Sequence, residues 1–424
     1  MRGATLALSA IILLSCIPRD RPAKHSADPA GEHRLWLVMV FMNADSGGDP
    51  HEWILMDDLE LMDATPTGGS IHLVLQVSRC GRDPYDGAWR GTRRYHVDGL
   101  GGGDPVGFGA HRLEDPRNDV DPSDGEALWE FARWASARYP ADHRMLVVEA
   151  HGSGWRGLSP CDIENDPACL ITIPDGELRG AIARIAGEHR LDIVALNSCL
   201  MGMWETGFAL RGSVRYALTS EEIGGPLLGS WHDILPRLAR GPDDPASVCA
   251  DLTATIDGEQ TKANTATRTC VDLEGHEALT RAVDGMAAAA ASDARAALDL
   301  ARAIDLSLNF TKPAHHDLGD IAAIISKDAD AEPPLRAAAA EVLEALDGYV
   351  VAHASSPFAG MGWSHGVCGA PGDRGTCERS TGVAIWAPID ETPHLVPVYL
   401  EGPWCATRWD EALSAVVAAR HDQQ

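Results

Sequence analysis

Short apolar runs punctuated by Gly, Pro, Asp and Asn set the first expectation for this chain. Leu35 to Met42, Ile71 to Val77, Met145 to Ala150, Asp192 to Leu196 and Arg215 to Thr219 are runs of this kind. Brief, near-continuous apolar segments read as strands buried on both faces. Segments of helical character lie between them: Glu52 to Met62, Gly176 to Glu188 and Leu200 to Leu210. Ser123 with Glu126 has the form of a capping box, and behind it Leu128, Phe131, Ala132, Ala135 and Tyr139 fall on one helical face. Strands alternating with helices predict a mostly parallel, helix-covered sheet joined by right-handed crossovers. Gly87 to Val97 reads as a hairpin arm. After about residue 235 Ala-rich helical stretches dominate, Glu277 to Ile304 and Pro334 to Ala354, with an apolar strand at Gly382 to Ala387. The fold class expected is α/β, a sheet-centred core at 35–235 followed by a helix-rich part at 236–424. No internal repeat is visible.

Two of the apolar runs stop at reactive side chains. One ends at His151, followed by Gly152-Ser153-Gly154-Trp155; the other passes through Asn197-Ser198 to Cys199. In an open parallel sheet, ligands and catalysis sit beyond the carboxyl ends of the strands. If these strands are neighbours, an imidazole stands beside a thiol, as a cysteine nucleophile with a histidine base requires. The small residues after His151 let backbone N–H groups approach a substrate oxygen, which suits an oxyanion hole. The helix-like composition after Cys199 predicts a helix N-terminus there, an environment that favours the thiolate. A phosphate cradle is the competing use of a Gly-rich turn. This one has neither a Walker lysine nor a full GxGxxG. Taken singly, a Cys is more often a small buried hydrophobe or half of a disulfide. His315 and His316 read as structural or exposed.

A net charge of -27 argues against nucleic acid as a partner. The N-terminus begins with a positive Arg2 and an apolar stretch, Ala4 to Leu14, too short to span a bilayer. It ends Leu13-Leu14-Ser15-Cys16, which resembles a bacterial lipobox. Residues 1–16 are therefore expected to be a lipoprotein signal peptide with lipidation at Cys16, and residues 17–34 a flexible tether. Ile17 in place of Asp favours, by analogy with lipoprotein sorting, an outer-membrane location in a bacterial envelope; plain secretion is the alternative. Setting aside Cys16 and Cys199, eight of the ten cysteines remain, an even number that permits disulfides in an exported chain. Proximity pairs Cys161 with Cys169, Cys249 with Cys270 and Cys368 with Cys377, leaving Cys80 and Cys405. The chain has no CxxC spacing, which disfavours a four-thiolate zinc site.

His151-Gly-Ser-Gly-Trp155, Ser198-Cys199-Leu200-Met201 with Glu205, and Thr219-Ser220-Glu221-Glu222 together resemble the clostripain family of cysteine peptidases, in the caspase-like clan. Leu37 to Asp45, Asp272-Leu273 and His316-Asp317-Leu318 resemble further family segments, so the likeness runs over roughly 35–390. It implies a caspase-like three-layer sandwich and a Cys/His dyad without a third member. Cys199 is then the nucleophile, His151 the acid/base, and the backbone N–H groups of Gly152 and Cys199 the oxyanion hole. The substrate is a peptide or protein, and the chemistry requires no cofactor. The resemblance also implies self-cleavage after the histidine loop, near Arg156, and calcium dependence, for which Asp162, Glu164 and Asp166 are the candidate ligands. A solvated acidic loop is the plainer reading of those three.

Departures from the family pattern bear on specificity. The family commonly has Asp two residues before the nucleophile, where this chain has Asn197, and a second acid in the stretch where it has Ile223 to Leu228. The candidate substrate-binding residues are therefore Asn197, Ser220, Glu221 and Glu222, with an altered or weakened preference for Arg/Lys at P1. A catalytically inactive binding or scaffolding lipoprotein on the same fold is the alternative function, and transpeptidation would use the same acyl-enzyme.

Overall fold

The computed structural model describes residues 29–44, 51–79, 89–97, 111–112, 120–159, 170–224, 227, 230–240, 244–254, 267–355, 369–370, 373–374, 377–389 and 397–422. In chain order the strands are β1 (Arg34–Ala44), β2 (Ile71–Arg79), β3 (Gly91–Val97), β4 (His111–Arg112), β5 (Ala141–Glu149), β6 (His151–Gly152), β7 (Gly157–Ser159) and β8 (Ile171–Thr172). They continue with β9 (Leu191–Asn197), β10 (Val214–Thr219), β11 (Thr267–Asp272), β12 (His315–Asp317), β13 (Val350–Ser355), β14 (Gly369–Ala370), β15 (Asp373–Arg374) and β16 (Ala384–Trp386). Nine of these form one sheet in the order β13-β11-β10-β9-β5-β1-β2-β3-β4. Its centre, β10-β9-β5-β1-β2, is parallel, and antiparallel strands close both sides.

The period-two alternation of a strand explains the layers. In β1, Leu37, Met39 and Phe41 join one buried cluster while Trp36, Val38, Val40 and Met42 join the other. Leu146 and Val148 of β5 and Val194 and Leu196 of β9 follow the first face, Met145, Val147, Ile193 and Ala195 the second. The second face is covered by α1 (His51–Ala64), and the first by α2 (Gly125–Arg138), α3 (Glu177–Ala186) and α4 (Trp204–Leu210). Two further helices, α5 (Trp231–Arg240) and α6 (Pro245–Thr253), pack on the second face. The later helices return to the first: α7 (His276–Ala290), α8 (Ala294–Leu306), α9 (Leu318–Lys327), α10 (Pro333–Tyr349) and α11 (Trp409–His421). This is the expected three-layer sandwich. No described helix is long and apolar enough to cross a membrane.

Several local expectations give way to tertiary contacts. Asp124, not Ser123, caps α2, accepting from the N–H of Glu126, while Ser123 is turned to Asp121. The Ala-rich stretch expected as one helix is two, because Asp293 accepts from the N–H groups of Arg295 and Ala296 and starts α8 anew. The helix expected through Ala354 stops at Tyr349, and the chain continues as β13, an edge strand antiparallel to β11. The part after residue 236 thus supplies two strands to the same sheet, and the strand expected at 382–387 joins β12 instead.

Cys249 and Cys270 are disulfide-bonded, tying α6 to β11 as proximity suggested. Cys377 is also disulfide-bonded. Its expected partner Cys368 lies outside the described residues, as do Cys80, Cys161 and Cys169. Cys405, which proximity left without a close partner, carries a free thiol. With a sequence separation of 21, the Cys249–Cys270 loop limits the unfolded chain by about 3 kcal/mol. Replacing both by Ala is expected to lower the unfolding free energy by about that amount in chemical denaturation.

Candidate active site

The site begins with strand register. β5 and β9 are parallel neighbours with Glu149 opposite Asn197. His151 and Cys199 each lie two residues past that pair, so the two strand ends deliver imidazole and thiol at the same level. Both residues are half-buried, between the packed sheet and solvent. Gly152 is in close contact with the backbone of Cys199: a Cβ there would fall on the Cys199 carbonyl oxygen. That contact, more than any motif, joins the two loops. His151 and Gly152 themselves form β6, paired to β7 in a small hairpin layered on β8.

The segment after Cys199 is not the helix expected. Leu200 is in the left-handed region at φ 63, the one non-glycine residue with positive φ among those described. Helix α4 begins only at Trp204. A left-handed leucine costs roughly 1–2 kcal/mol. Here the surroundings hold it: the N–H of Leu200 donates to the carbonyl of Glu222 at 3.2 Å, and that of Gly202 to the carbonyl of Ser220 at 2.7 Å. The carbonyl of Gly202 accepts from the N–H of Ala384 at 2.8 Å. Cys199 is therefore not at a helix N-terminus. A polar group faces its sulfur: the N–H of Gly224, which donates to Sγ at 3.3 Å. An N–H donor favours the charged form of the atom it faces.

Three of the expected substrate-binding side chains, Asn197, Ser220 and Glu222, are hydrogen-bonded within the protein. Asn197 is 1% exposed; its Nδ2 donates to Glu149 Oε1 at 3.0 Å and its Oδ1 accepts from the N–H of Leu227 at 2.7 Å. Ser220 Oγ donates to the carbonyl of Glu222 at 3.0 Å and lies 3.0 Å from Thr267 Oγ1. Glu222 accepts from the N–H and hydroxyl of Thr311 and from the N–H of Ile223. Glu221 is fully buried beside Asp317; burial and that neighbouring acid push its carboxyl well above the usual range. Neither acid forms an exposed acidic wall: Glu221 is fully buried and Glu222 1% exposed. Asp162, Glu164, Asp166 and Cys16 lie outside the described residues. Among the described residues, no group of three or more His, Cys, Asp or Glu is placed to hold a metal ion.

Functional anchors appear that the motifs carried without a stated role. Trp155 is buried against Trp386, Tyr399 and Trp404, with ring centroids 5.2, 5.0 and 6.2 Å away. Glu205, fully buried on α4, accepts from the N–H of Trp386 and the hydroxyl of Tyr399, both at 3.0 Å. The histidine loop and the cysteine loop are thus fastened to the same C-terminal aromatic cluster. His315 is buried rather than exposed and lies against Gly154, and burial with Lys312 and His316 nearby pushes it down to about 3. Glu149 is a residue that motif reading misses altogether. It completes an apolar strand, so periodicity assigns its position to the core, and burial together with Asp58 pushes its carboxyl well above the usual range.

A mostly parallel sheet in a three-layer caspase-like sandwich, with a thiol and an imidazole at adjoining strand ends, defines a cysteine peptidase. A profile of the clostripain family matches residues 113–367, more than half of the sequence, and the chain belongs to that family. No match is found among curated proteins. An inactive zymogen C11 protease from Parabacteroides distasonis is similar in fold, with 15% identity over 88% of this chain and 97% of that one, at a TM-score of 0.62. A secreted C11 cysteine protease from Bacteroides thetaiotaomicron, in complex with an irreversible peptide inhibitor, matches 92% of this chain and all of its own, at 14% identity and a TM-score of 0.59. The structure of that organism's secreted C11 cysteine protease called iotapain gives 13% identity and 0.58 over 90% of this chain.

The packing has two measurable consequences. Gly152→Ala must push the histidine loop off the Cys199 backbone, and kcat/KM is expected to fall about 100-fold or more. Steady-state kinetics checks this, with circular dichroism confirming a folded sheet. The second concerns pH. Burial raises Glu205 to about 7 and Asp317 to about 6. Because these folded-state values lie above the unfolded ones, the folded protein holds more protons. As far as these groups decide it, stability is therefore greatest below the unfolded values of 3.8 for Asp317 and 4.5 for Glu205, falls above them, and the contribution is lost once pH has passed about 6 and about 7 respectively. Each such proton costs about 1.4 kcal/mol per pH unit in that window. Glu205→Gln, which keeps the acceptor for Trp386 and Tyr399, is expected to make the decline shallower by about that slope in urea titrations between pH 5 and 7.

Proposed function

We propose that this protein is an exported cysteine endopeptidase in which Cys199 is the nucleophile and His151 the acid/base. The observation that carries the reading is the aligned pair of strand ends, with Gly152 seated on the Cys199 backbone. Cys199 sulfur attacks the scissile carbonyl carbon. The carbonyl π electrons move to oxygen, which the N–H groups of Gly152 and Cys199 receive. As the C–N bond breaks, His151 protonates the departing amine and a thioester remains on Cys199. Water, deprotonated by His151, then attacks the thioester, releasing the acid and returning the proton to the dyad.

Specificity is proposed to depart from strict Arg/Lys at P1. A buried Arg side chain needs a paired carboxylate, and leaving its charge uncompensated costs several kcal/mol. Asn197 is an amide, Glu222 is bonded to Thr311 and Ile223, and Glu221 is fully buried beside Asp317 with its carboxyl held well above the usual range. The described secretion of the Bacteroides protease and its capture by a peptide inhibitor support export and a peptide substrate here. Lipid attachment through Cys16 rests on the N-terminal sequence, and calcium binding by Asp162, Glu164 and Asp166 on the sequence of their loop. The proposed steps use only groups of this chain.

The test incubates the purified protein with a P1-varied peptide library, with and without calcium, beside Cys199→Ala. Cleavage is expected in the parent and absent in the variant, with no strong selectivity for Arg. Strong Arg selectivity would overturn the specificity reading. No cleavage, together with no labelling of Cys199 by an acyloxymethyl ketone, would favour an inactive scaffold on this fold.

A further inference from the structure

Glu149 and Asn197 take no part in the steps above, yet each stands two residues before a reactive side chain. They are opposite one another in the parallel register, and both are buried. Asn197 uses both ends of its amide. Nδ2 donates to Glu149 Oε1 at 3.0 Å, and Oδ1 accepts from the N–H of Leu227 at 2.7 Å. An amide can donate to one side and accept from the other; an aspartate in its place would turn a second acceptor toward Glu149. Asp58 from α1 faces the same carboxyl, and Trp231 from α5 stands beside it. The N–H that faces Cys199 sulfur belongs to Gly224, in the segment whose Leu227 is tied to Asn197. One side chain therefore ties the histidine strand and the cysteine strand to Leu227, three residues along the chain from Gly224.

We propose that Glu149 and Asn197 form a positioning clasp, which holds the two strand ends level and keeps the N–H of Gly224 on the Cys199 sulfur. The clasp rests on Cys199 being the nucleophile. It makes Asn197 a positioning residue and not a lining of the P1 pocket. The polar demand at residue 197 comes from inside the protein, from one acceptor and one donor in fixed places.

The experiment compares the full chain with Asn197→Asp, Glu149→Gln and the double variant. Two readouts are taken: the pH profile of iodoacetamide alkylation at Cys199, followed by peptide mass spectrometry, and kcat and KM on a peptide cleaved by the parent. In Asn197→Asp two carboxyls face each other in a buried setting. The alkylation midpoint is expected to rise by about one pH unit, and kcat to fall about tenfold with KM little changed. Glu149→Gln alone is expected to behave as the parent, because its carbonyl can still accept from Asn197. In the double variant the roles are exchanged: the amide now at position 149 donates, and the carboxylate now at position 197 accepts from it and from the N–H of Leu227. Both readouts should return to within about threefold of the parent. Should Asn197→Asp not fold, Asn197→Ser removes both bonds without adding charge, and the same upward midpoint shift is expected. An unshifted midpoint in the folded variants would overturn the clasp, as would a double variant no better than Asn197→Asp. A gain of Arg/Lys selectivity in Asn197→Asp with an unchanged midpoint would also overturn it, placing residue 197 in the substrate pocket. Alkylation is read on the sulfur itself, so the clasp is judged even if the parent cleaves no peptide, an outcome that would overturn the peptidase reading alone.

Discussion

Parallel pairing of β5 with β9 is the constraint on which the rest of the site depends. Both strands are buried on both faces, so a slip of one residue would send Leu146, Val148, Val194 and Leu196 to the opposite layer. The hydrophobic core therefore fixes the register, and the register fixes which residues emerge together at the strand ends. His151 and Cys199 emerge at the same level because apolar side chains several residues earlier have no alternative arrangement of comparable burial. The placement of these two side chains is in this sense a by-product of core packing, transmitted along two stiff strands.

Register alone leaves the loops undetermined, and the structure fixes them with polar groups that burial makes expensive to leave unpaired. The cysteine loop is tied by backbone bonds to Ser220, Glu222 and Ala384, and the histidine loop by Trp155 in the aromatic cluster. Glu205 brings the same cluster to α4. These contacts come from segments far apart in sequence, which is why the C-terminal portion cannot be viewed as an appendage. It adds β11 and β13 to the sheet and supplies, through Ala384, a bond that helps hold the loop containing the strained Leu200.

Much of this was legible in the sequence. Strongly apolar runs revealed β1, β2, β5, β9 and β10, because a doubly buried strand has almost no freedom in composition. The reactive residues stood out because two of those runs ended on them. What escaped was decided by partners, not by local pattern. Leu200 to Met203 has helical composition, but bonds to 220–222 hold it as a loop. Thr267 to Asp272 reads as polar, yet Thr267 hydroxyl serves Ser220 and Glu221, and so the strand belongs in the sheet. Val350 to Ser355 follows a helix without a break in apolar character, and only its pairing with β11 makes it a strand.

Asn197 shows the limit of reading a residue by type. From sequence it is a lost acid, and the loss speaks only of specificity. In the structure it is an amide whose two ends are spoken for, with Glu149 on one side and the Leu227 N–H on the other. An acid at 197 would set a second buried carboxyl against Glu149 where the amide now donates, so the two positions are coupled. A change of residue type at 197 is then tied to position 149, on a different strand and invisible to any motif around the nucleophile. Buried polar pairs of this kind impose joint requirements on residues, since an unmatched member costs more than the pair contributes. The ends of the two strands and the Leu227 backbone are for that reason parts of one hydrogen-bonded unit, in which neither strand end can drift without the other.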